Sequence, residues 1–269
     1  MTGEPSSSQT GRMDSSTTRR SADIAPVAAL FADRSRARII SALADGRALP
    51  ASVLARESGV GAATASSHLG RLVASGLLTV ERSGRHRYYR LAGPEVAAAV
   101  ESLAVIAPQP PVTSLRESTR AAAMRRARTC YDHLAGRWGV ALLAGLVDAG
   151  ALMRSDGRAD TARRPADRLA AAVRDHPYEL GPQADGVFGR LGVDLDALRA
   201  RPASGRPLLR FCVDWSEQRH HLAGALGAAV LGRAEEAGWV IRRPRGRAVD
   251  VTDAGRQVLR DALGLQDVA

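Results

Sequence analysis

Apolar residues recur at helical spacing through residues 23–107 and divide this stretch into five predicted helices. The first helix begins at Asp23, and the second ends at Asp45-Gly46. Pro50 lies in the first turn of a short third helix, which ends at Gly59 because glycine readily adopts the left-handed conformation. The fourth helix covers VGAATASSHLGRLVASG, and the fifth covers GPEVAAAVESLAVIA.

The pattern changes after Gly76, where Leu77–Glu81 and Arg87–Leu91 predict two strands around a turn at Arg82–His86. Two short helices joined by a tight turn and followed by such a hairpin predict a winged helix-turn-helix. In this fold the second helix enters the DNA major groove, where each base pair presents a distinct set of donors and acceptors. The arginine-rich turn is then the wing, which lies along the DNA backbone or in the minor groove.

The predicted DNA-binding residues therefore belong to the fourth helix and to the wing. They are small, polar or basic side chains that can reach phosphates or base edges. On the helix they are Thr64, Ser66, Ser67, His68 and Arg71, and in the wing they are Arg82, Arg85, His86 and Arg87.

A second, mostly helical part is predicted beyond the prolines at 108–111. Ser114–Gly150 contains no proline and indicates one long helix or two abutting ones, and further helical pieces are expected at Leu169–Val173 and Gly186–Leu198. The predicted fold class is mainly α. The predicted divisions are a disordered tail (1–20), a DNA-binding domain (21–107), a linker (108–118) and a sensing or dimerisation domain (119–269).

An internal repeat marks this second part. HLAGRWGVALLAGLVDAG begins at His133 and HLAGALGAAVLGRAEEAG begins at His221, and the two segments have equal length and the same first four residues. The similarity favours a duplication that produced two winged-helix-like units.

The net charge and the composition of the chain indicate the class of molecule that the protein binds. The net charge is +10, which favours a polyanion such as double-stranded DNA. All 38 basic residues are arginine, as the codon bias of a GC-rich genome would produce, so their clustering matters more than their identity. Two cysteines cannot form a disulfide framework, and no apolar run is long enough to span a membrane, so a cytoplasmic protein is expected.

The segments LFADRSRARIISALADG, LARESGVGAATASSHLGRLVASGLL and SGRHRYYRL resemble the ArsR/SmtB family of bacterial repressors. This resemblance covers roughly residues 23–107. It implies a homodimer joined through the first and fifth helices, which binds a palindromic operator and is released by an effector, often a soft metal ion. The second half resembles the long forms of the same family more weakly.

The known metal sites of that family are not reproduced in the first domain. Ala51, Ser52 and Val53 stand where the third helix would carry cysteines, and the fifth helix offers only Glu101. The cadmium- and lead-responsive branch, which the fourth helix resembles, has two cysteines where this chain has Arg71 and Ser75. Metal sensing by the first domain is therefore not expected.

Candidate soft ligands lie in the second half, where Cys130 and His133 would face the same way on a helix. Cys212 and His221 could complete a set of four ligands for a soft divalent ion acting as effector. Thiol-based redox sensing and an organic-ligand pocket are alternatives. A further alternative is that the cysteines are small buried hydrophobes and the histidines only pack or cap.

A dimeric, effector-responsive repressor is favoured over a sequence-nonspecific DNA-coating protein. An enzyme is not expected, because the chain has no glycine-rich phosphate loop, HExxH or G-x-S-x-G motif.

The second basic hairpin, Arg242–Arg247, is a possible further DNA contact, and Asp214 with the residues after it resembles a helix cap.

Overall fold

The computed structural model describes residues 22–84, 86–108, 115–158, 160–167, 172–173, 175–200, 206–244 and 246–265. Within these ranges the protein is mainly helical, and its strands form small antiparallel sheets and hairpins. The predicted fold class is thus confirmed. No helix in the described ranges is both long and apolar enough to cross a bilayer.

Residues 22–108 form five helices and a three-stranded sheet. Asp33 caps the second helix by accepting a hydrogen bond from the Arg36 backbone N–H at 2.8 Å, and Gly59 (φ +74°) ends the third. The helices are α1 (Ala25–Ala32), α2 (Arg34–Leu43), α3 (Ala51–Ser58), α4 (Ala62–Ala74) and α5 (Pro94–Ile106). The strands are β1 (Leu49–Pro50), β2 (Leu78–Ser83) and β3 (His86–Leu91), in the order β1-β3-β2.

The wing hairpin is longer than the pattern predicts. Arg82 pairs with Arg87 and Ser83 pairs with His86, so the two strands extend into the expected five-residue turn at Arg82–His86, which is therefore wrong. Gly84 has φ +57°, which a tight two-residue turn needs and which glycine adopts without strain.

Residues 115–265 form a second unit around its own apolar core, which includes Trp138, Phe188, Phe211 and Leu226. Its first part comprises α6 (Leu115–Arg126), β4 (Arg128–Cys130), β5 (His133–Ala135), α7 (Gly136–Asp148), β6 (Leu152–Arg154), β7 (Ala172–Val173), β8 (Tyr178–Leu180), α8 (Ala184–Arg190) and α9 (Leu195–Arg199). Its second part comprises β9 (Arg210–Val213), β10 (His220–Ala223), α10 (Gly224–Glu236), β11 (Val240–Arg242), β12 (Val249–Val251) and α11 (Asp253–Leu263).

The prediction of one long helix or two abutting ones over Ser114–Gly150 is wrong, because two helices form there but the β4–β5 hairpin separates α6 from α7. Left-handed backbone at Tyr131 (φ +58°) and Gly136 (φ +76°) interrupts any helix there. A Cβ atom at Gly136 would lie 2.7 Å from the Arg125 carbonyl oxygen, so this close turn requires glycine.

The other predicted helical pieces are also corrected. Residues 172–173 form β7, paired with β9, while residues 168–171 lie outside the described ranges. The piece at Gly186–Leu198 divides into α8 and α9, because Gly192 has φ +69° and Asp194 caps a new helix through the Ala197 backbone N–H.

The two HLAG segments fold alike. In each, His-Leu-Ala lies in a hairpin strand, and the glycine, with φ +76°, is the first residue of a 13-residue helix. The helix is followed by a strand that pairs with a later strand (β6 with β8, β11 with β12), and then by another helix. Both copies therefore have the order hairpin, helix, strand pair, helix.

The two units touch through backbone and charged groups. The Tyr131 backbone N–H donates to the Ala44 carbonyl at 2.8 Å, and the Arg47 guanidinium donates to the Gly246 carbonyl at 3.2 Å. Glu101 on α5 accepts a hydrogen bond from Arg247 and lies 3.6 Å from Arg128. All three side chains are buried, so α5 is attached to the second unit by charge.

Candidate nucleic-acid interface and candidate metal centre

The fourth helix presents a polar outer face. Ala65, Leu69 and Leu72 are buried against the other helices of the first unit. The helix begins after Gly61, which provides no side-chain cap, so its first N–H groups have no side-chain partner. The predicted contact residues that are exposed on it are Thr64, Ser66, Ser67 and Arg71.

His68 differs from these four because its side chain is only 14% exposed and lies near the start of α2. Its Nε2 atom is 4.0 Å from Asp33 Oδ1, and its Nδ1 atom has no hydrogen-bond partner among the described residues. The Arg36 backbone N–H donates to Asp33 and, with the charges of Arg36 and His68, keeps the pKa of this carboxyl below its usual range. His68 therefore points toward Asp33 more than outward.

The wing concentrates positive charge on an exposed hairpin. Arg82 and Arg87 are directly opposite each other on β2 and β3, and no carboxylate of the described residues lies within ion-pair distance of either. His86 is exposed beside them, and Arg85 lies outside the described residues. Arg90, by contrast, is 3.3 Å from Glu81.

The positions at which the family resemblance would place metal ligands have other roles here. Ala51 and Ser52 begin α3, and the Ser75 hydroxyl donates to the Leu72 carbonyl at 2.9 Å. Glu101 belongs to the buried contact between the two units and is paired with arginine. None of these residues offers a free soft ligand.

The structure brings Cys130, His133, Cys212 and His221 together in the second unit. The ligand atoms of the four side chains all lie within 4.8 Å of one another. Cys130, His133 and His221 are buried, and Cys212 is half-buried. The two imidazole rings stack with centroids 5.1 Å apart.

Each copy of the repeat contributes one cysteine and one histidine to this cluster. Cys130 is the cross-strand partner of His133, and Cys212 is the cross-strand partner of His221. The expectation that Cys130 and His133 share a helix face is wrong, because both belong to a hairpin. The residues are nevertheless adjacent, since directly opposed side chains in an antiparallel pair lie on the same face.

Two equivalent glycines let the copies approach each other at the cluster. A Cβ atom at Gly139 would lie 3.7 Å from His221 Cβ, and one at Gly227 would lie 3.2 Å from His133 Cβ. Each helix thus packs against the histidine of the other copy. The four side chains lie where the two copies meet.

Burial and neighbouring groups shift the pKa values of the side chains in the cluster. A hydrogen bond with the Cys212 thiol and burial raise the pKa of Cys130 well above its usual value. Burial alone would lower the pKa of His133, but Cys130 and Asp132 raise it to about 9. Burial and the neighbouring His133 lower the pKa of His221 to about 3.

Asp132 connects the cluster to a nearby arginine. Its Oδ1 atom is 3.5 Å from His133 Nδ1, and Arg206 donates to both of its oxygens. Burial opposes the charge of Asp132, but the bonds with His133 and Arg206 hold its pKa at about 2. The carboxylate therefore orients the His133 ring.

Sequence reasoning misses the buried pair of Arg128 and Asp214. Asp214 Oδ2 accepts from the Arg128 guanidinium at 2.9 Å and from the Gly136 backbone N–H at 2.7 Å, while Oδ1 accepts from the Ser216 and Glu217 backbone N–H groups. Asp214 thus closes its own turn and also caps α7. The expected helix cap at Asp214 is wrong, because residues 215–217 form a turn and no helix begins there. Its bonds with Arg128 and Gly136 could not be predicted, because no local pattern shows partners so distant in the chain.

The described arginines of the second basic hairpin are paired with carboxylates. Arg242 Nε is 2.5 Å from Glu235 Oε1, Arg243 is 2.6 Å from Asp250, and Arg247 pairs with the buried Glu101. Arg245 lies outside the described residues. The paired arginines give little support to the interpretation of this hairpin as a DNA contact.

Comparison with known proteins agrees with this geometry. Residues 31–81 match a helix-turn-helix domain family. The chain is 39% identical over 244 residues to the uncharacterized HTH-type transcriptional regulator YdfF of Bacillus subtilis (strain 168), which covers 91% of this chain and 98% of that one.

Two solved structures are similar to about a third of this chain. A homodimeric winged helix-turn-helix domain from Mycobacterium bovis, described as a possible ArsR-family regulator, is 32% identical over 31% of this chain and 76% of its own, with a TM-score of 0.29. The cadmium metal-sensor CMTR from Mycobacterium tuberculosis is 33% identical over 34% of this chain and 98% of its own, with a TM-score of 0.27.

A winged helix-turn-helix with an exposed polar helix and a basic wing defines a DNA-binding transcription regulator. Because the similarity to YdfF extends over nearly the whole of both chains, the protein belongs to the family of HTH-type transcriptional regulators. The sequence-based expectation of a winged helix-turn-helix transcription regulator is confirmed.

Proposed function

We propose that the protein is a repressor of the ArsR type that binds a palindromic operator as a homodimer. The observation that carries this proposal is the combination of an exposed polar face on α4 with an unpaired basic wing. The helix face would read bases in the major groove, while the wing would hold the phosphate backbone. The protein would act by occupying DNA, without catalysing a reaction.

The charges of the wing support a polyanionic partner. Arginines directly opposite each other on two strands repel, which destabilises the free hairpin. A phosphate between Arg82 and Arg87 would turn this repulsion into attraction. The N-terminus of α4 offers a further phosphate site, because its N–H groups have no side-chain cap and carry the positive end of the helix dipole.

Apolar side chains on α1 and α5 support dimerisation. Ile24 on the N-terminal side of α1 and Ile106 on α5 are each 73% exposed, and Val27 and Leu103 on the same two helices are also exposed. A surface group of large apolar residues on two helices is more stable when a second copy covers it. The ArsR/SmtB resemblance implies the same pair of helices as the dimer interface.

The contact between Glu101 and the second unit supports a response to an effector. Glu101 lies on α5, one of the two helices proposed for the dimer interface, and it pairs with Arg128 and Arg247 of the second unit. Arg128 is two residues from Cys130 on β4. A change at the Cys-His cluster could therefore alter the position of α5 and the spacing of the two DNA-binding helices.

Operator binding is tested with duplexes selected from a random library and with scrambled duplexes of the same composition. The expected result is much tighter binding of the selected duplexes, with affinity that falls steeply as salt rises, because arginine–phosphate contacts release counterions. Equal affinity for selected and scrambled duplexes would instead identify a DNA-coating protein.

The effector is tested by release of the bound duplex on addition of cadmium, zinc, copper, peroxide or a thiol alkylator. The wild type is compared with a Cys130→Ser/Cys212→Ser double variant. Release that depends on both cysteines supports sensing through the cluster. Release by a metal that survives their loss would move the sensor to other histidines and carboxylates.

A further inference from the structure

The Cys-His cluster of the second unit contains buried polar atoms that have no hydrogen-bond partner among the described residues. Both ring nitrogens of His221 and the Nε2 atom of His133 are buried, and none has a hydrogen-bond partner among the described residues. A buried nitrogen without a partner is destabilising, so three of them in one place favour a ligand that compensates for the missing hydrogen bonds.

The four ligand atoms have the composition and spacing of a tetrahedral metal site. In a site with metal–sulfur distances of about 2.3 Å and metal–nitrogen distances of about 2.0–2.1 Å, the ligand atoms are roughly 3.3–3.8 Å apart. Here they lie within 4.8 Å of one another. Movement of less than about 1 Å by each atom closes the set, which side-chain rotation can supply.

The chemistry of the ligands selects the class of cation. Two thiolates and two neutral imidazoles carry two negative charges, which a divalent cation neutralises in a buried place. Sulfur and imidazole nitrogen in tetrahedral arrangement favour zinc-like or softer ions over magnesium or calcium. On binding, the two thiol protons and the additional ring proton of any protonated His133 leave to solvent, the hydrated ion loses its waters, and two metal–sulfur and two metal–nitrogen bonds form, so that the bound site is neutral.

The residues that contact the ligands also have an arrangement that is typical of a metal centre. Asp132 lies at Nδ1 of His133, which leaves Nε2 for the metal, and Arg206 holds the carboxylate. Carboxylates commonly orient metal-binding histidines in this way. A cavity of about 460 Å³ reaches the cluster from beside α5 and is lined by Ala98, Glu101, Cys130, His133 and Cys212, which provides a path for the ion.

We propose that Cys130, His133, Cys212 and His221 form one closed tetrahedral site for a soft divalent metal ion, with a Cys-His pair from each copy of the repeat. This inference names the chemistry of the second-unit cluster and does not depend on operator binding. A redox pair of Cys130 and Cys212 is the competing interpretation, but a disulfide would leave the buried imidazoles without partners.

Cobalt(II) alone is the probe for the first test, added to the reduced, chelator-treated full-length protein without DNA. We expect saturation at one ion per chain, a thiolate-to-cobalt charge-transfer band and the strong visible absorption of tetrahedral cobalt, all removed by added zinc. Cys212→Ser and His221→Gln should weaken binding by more than about a hundredfold, since loss of an outer contact alone costs 10–100-fold. His176→Gln, a histidine outside the cluster, is the matched control and should bind as the wild type does.

A second measurement uses only the wild type, so it decides the matter even where a variant does not fold. Zinc should slow alkylation of both thiols by at least about tenfold, because a metal-bound thiolate is not free to attack. A pale octahedral cobalt spectrum without charge transfer would overturn the proposal, as would unchanged binding by both variants. Rapid formation of a Cys130–Cys212 disulfide in air with no protection by zinc would establish the redox interpretation instead.

Discussion

Glu101 shows how much one buried carboxylate contributes to this protein. It is 4% exposed and faces Arg128 and Arg247, which are also buried. Glu101→Gln keeps the shape but removes the negative charge, which leaves Arg247 without an ionic partner among the described residues. Breaking a buried ion pair costs roughly 3–5 kcal/mol, so the free energy of unfolding should fall by about that amount.

Urea unfolding followed by circular dichroism measures this change. Glu81→Gln is the matched control, because it removes an exposed carboxylate 3.3 Å from Arg90 and should cost less than about 1 kcal/mol. Equal losses in the two variants would mean that the contact between the units contributes little to stability.

Replacement of two glycines of α10 by alanine should change the stability of the protein in opposite directions. A Cβ atom at Gly227 would lie 2.8 Å from the Leu222 carbonyl oxygen and 3.2 Å from His133 Cβ, whereas nothing lies within 4 Å of one at Gly232. Gly227→Ala should therefore destabilise the protein by about 1–3 kcal/mol through overpacking. Gly232→Ala should stabilise it by roughly 0.5–1 kcal/mol, because alanine is the better helix former.

Thermal unfolding of both variants, with and without zinc, tests this difference. Gly227→Ala should also weaken metal binding, since it displaces His133, and Gly232→Ala should not. A stable Gly227→Ala variant would show that the two copies of the repeat are less tightly packed than the contact distances indicate.

At the scale of elements, α4 and the wing should have separable effects on DNA binding. Arg87→Ala should weaken binding to selected and scrambled duplexes alike and lower the slope of log affinity against log salt by about one unit, because a phosphate contact positions without specifying. Ser67→Ala should instead change the order of preference among operator variants, since base contacts carry sequence information. Fluorescence anisotropy at several salt concentrations measures both effects.

Arg90→Ala is the matched control for the wing, because Arg90 shares β3 with Arg87 but is paired with Glu81. It should change the salt slope by less than Arg87→Ala does. If the wing variant altered base preference and the helix variant did not, the assignment of the two elements to backbone and groove would be reversed.

At the scale of the whole molecule, the exposed apolar residues of α1 and α5 predict the oligomeric state. Ile106→Glu puts a charge where the proposed interface excludes water, so it should convert the dimer to a monomer and weaken operator binding. Ile241→Glu is the control, because Ile241 is 55% exposed on β11 of the second unit. Sedimentation measures the mass, and a dimeric Ile106→Glu variant would exclude this interface.

Much of the first unit could be predicted from the sequence because its signals are local. The left-handed Gly59 and the alternation in the wing each act within a few residues. The same reasoning failed over Ser114–Gly150, because alanine and leucine favour helix while the hairpin depends on left-handed backbone at Tyr131 and Gly136.

For the Cys-His cluster, the sequence predicted which residues belong together but not how the fold brings them together. The residue types and the repeated HLAG segments were sufficient to select Cys130, His133, Cys212 and His221, but the reason given for their proximity, a shared helix face, was wrong. Opposition across two hairpins and the glycine contacts between the copies bring the side chains together. Residues far apart in the chain meet there only because two folded units pack.

The sequence by itself thus determined the class of the protein, since a helix-turn-helix and its wing are short-range structures with short-range signals. Only the tertiary structure decided the roles of Glu101, Arg128 and Asp214, because the cost of burying a charge depends on partners that a linear pattern does not show. The same holds for the arginines of the second hairpin: they carry the same charge as the wing, but the carboxylates packed against them neutralise it.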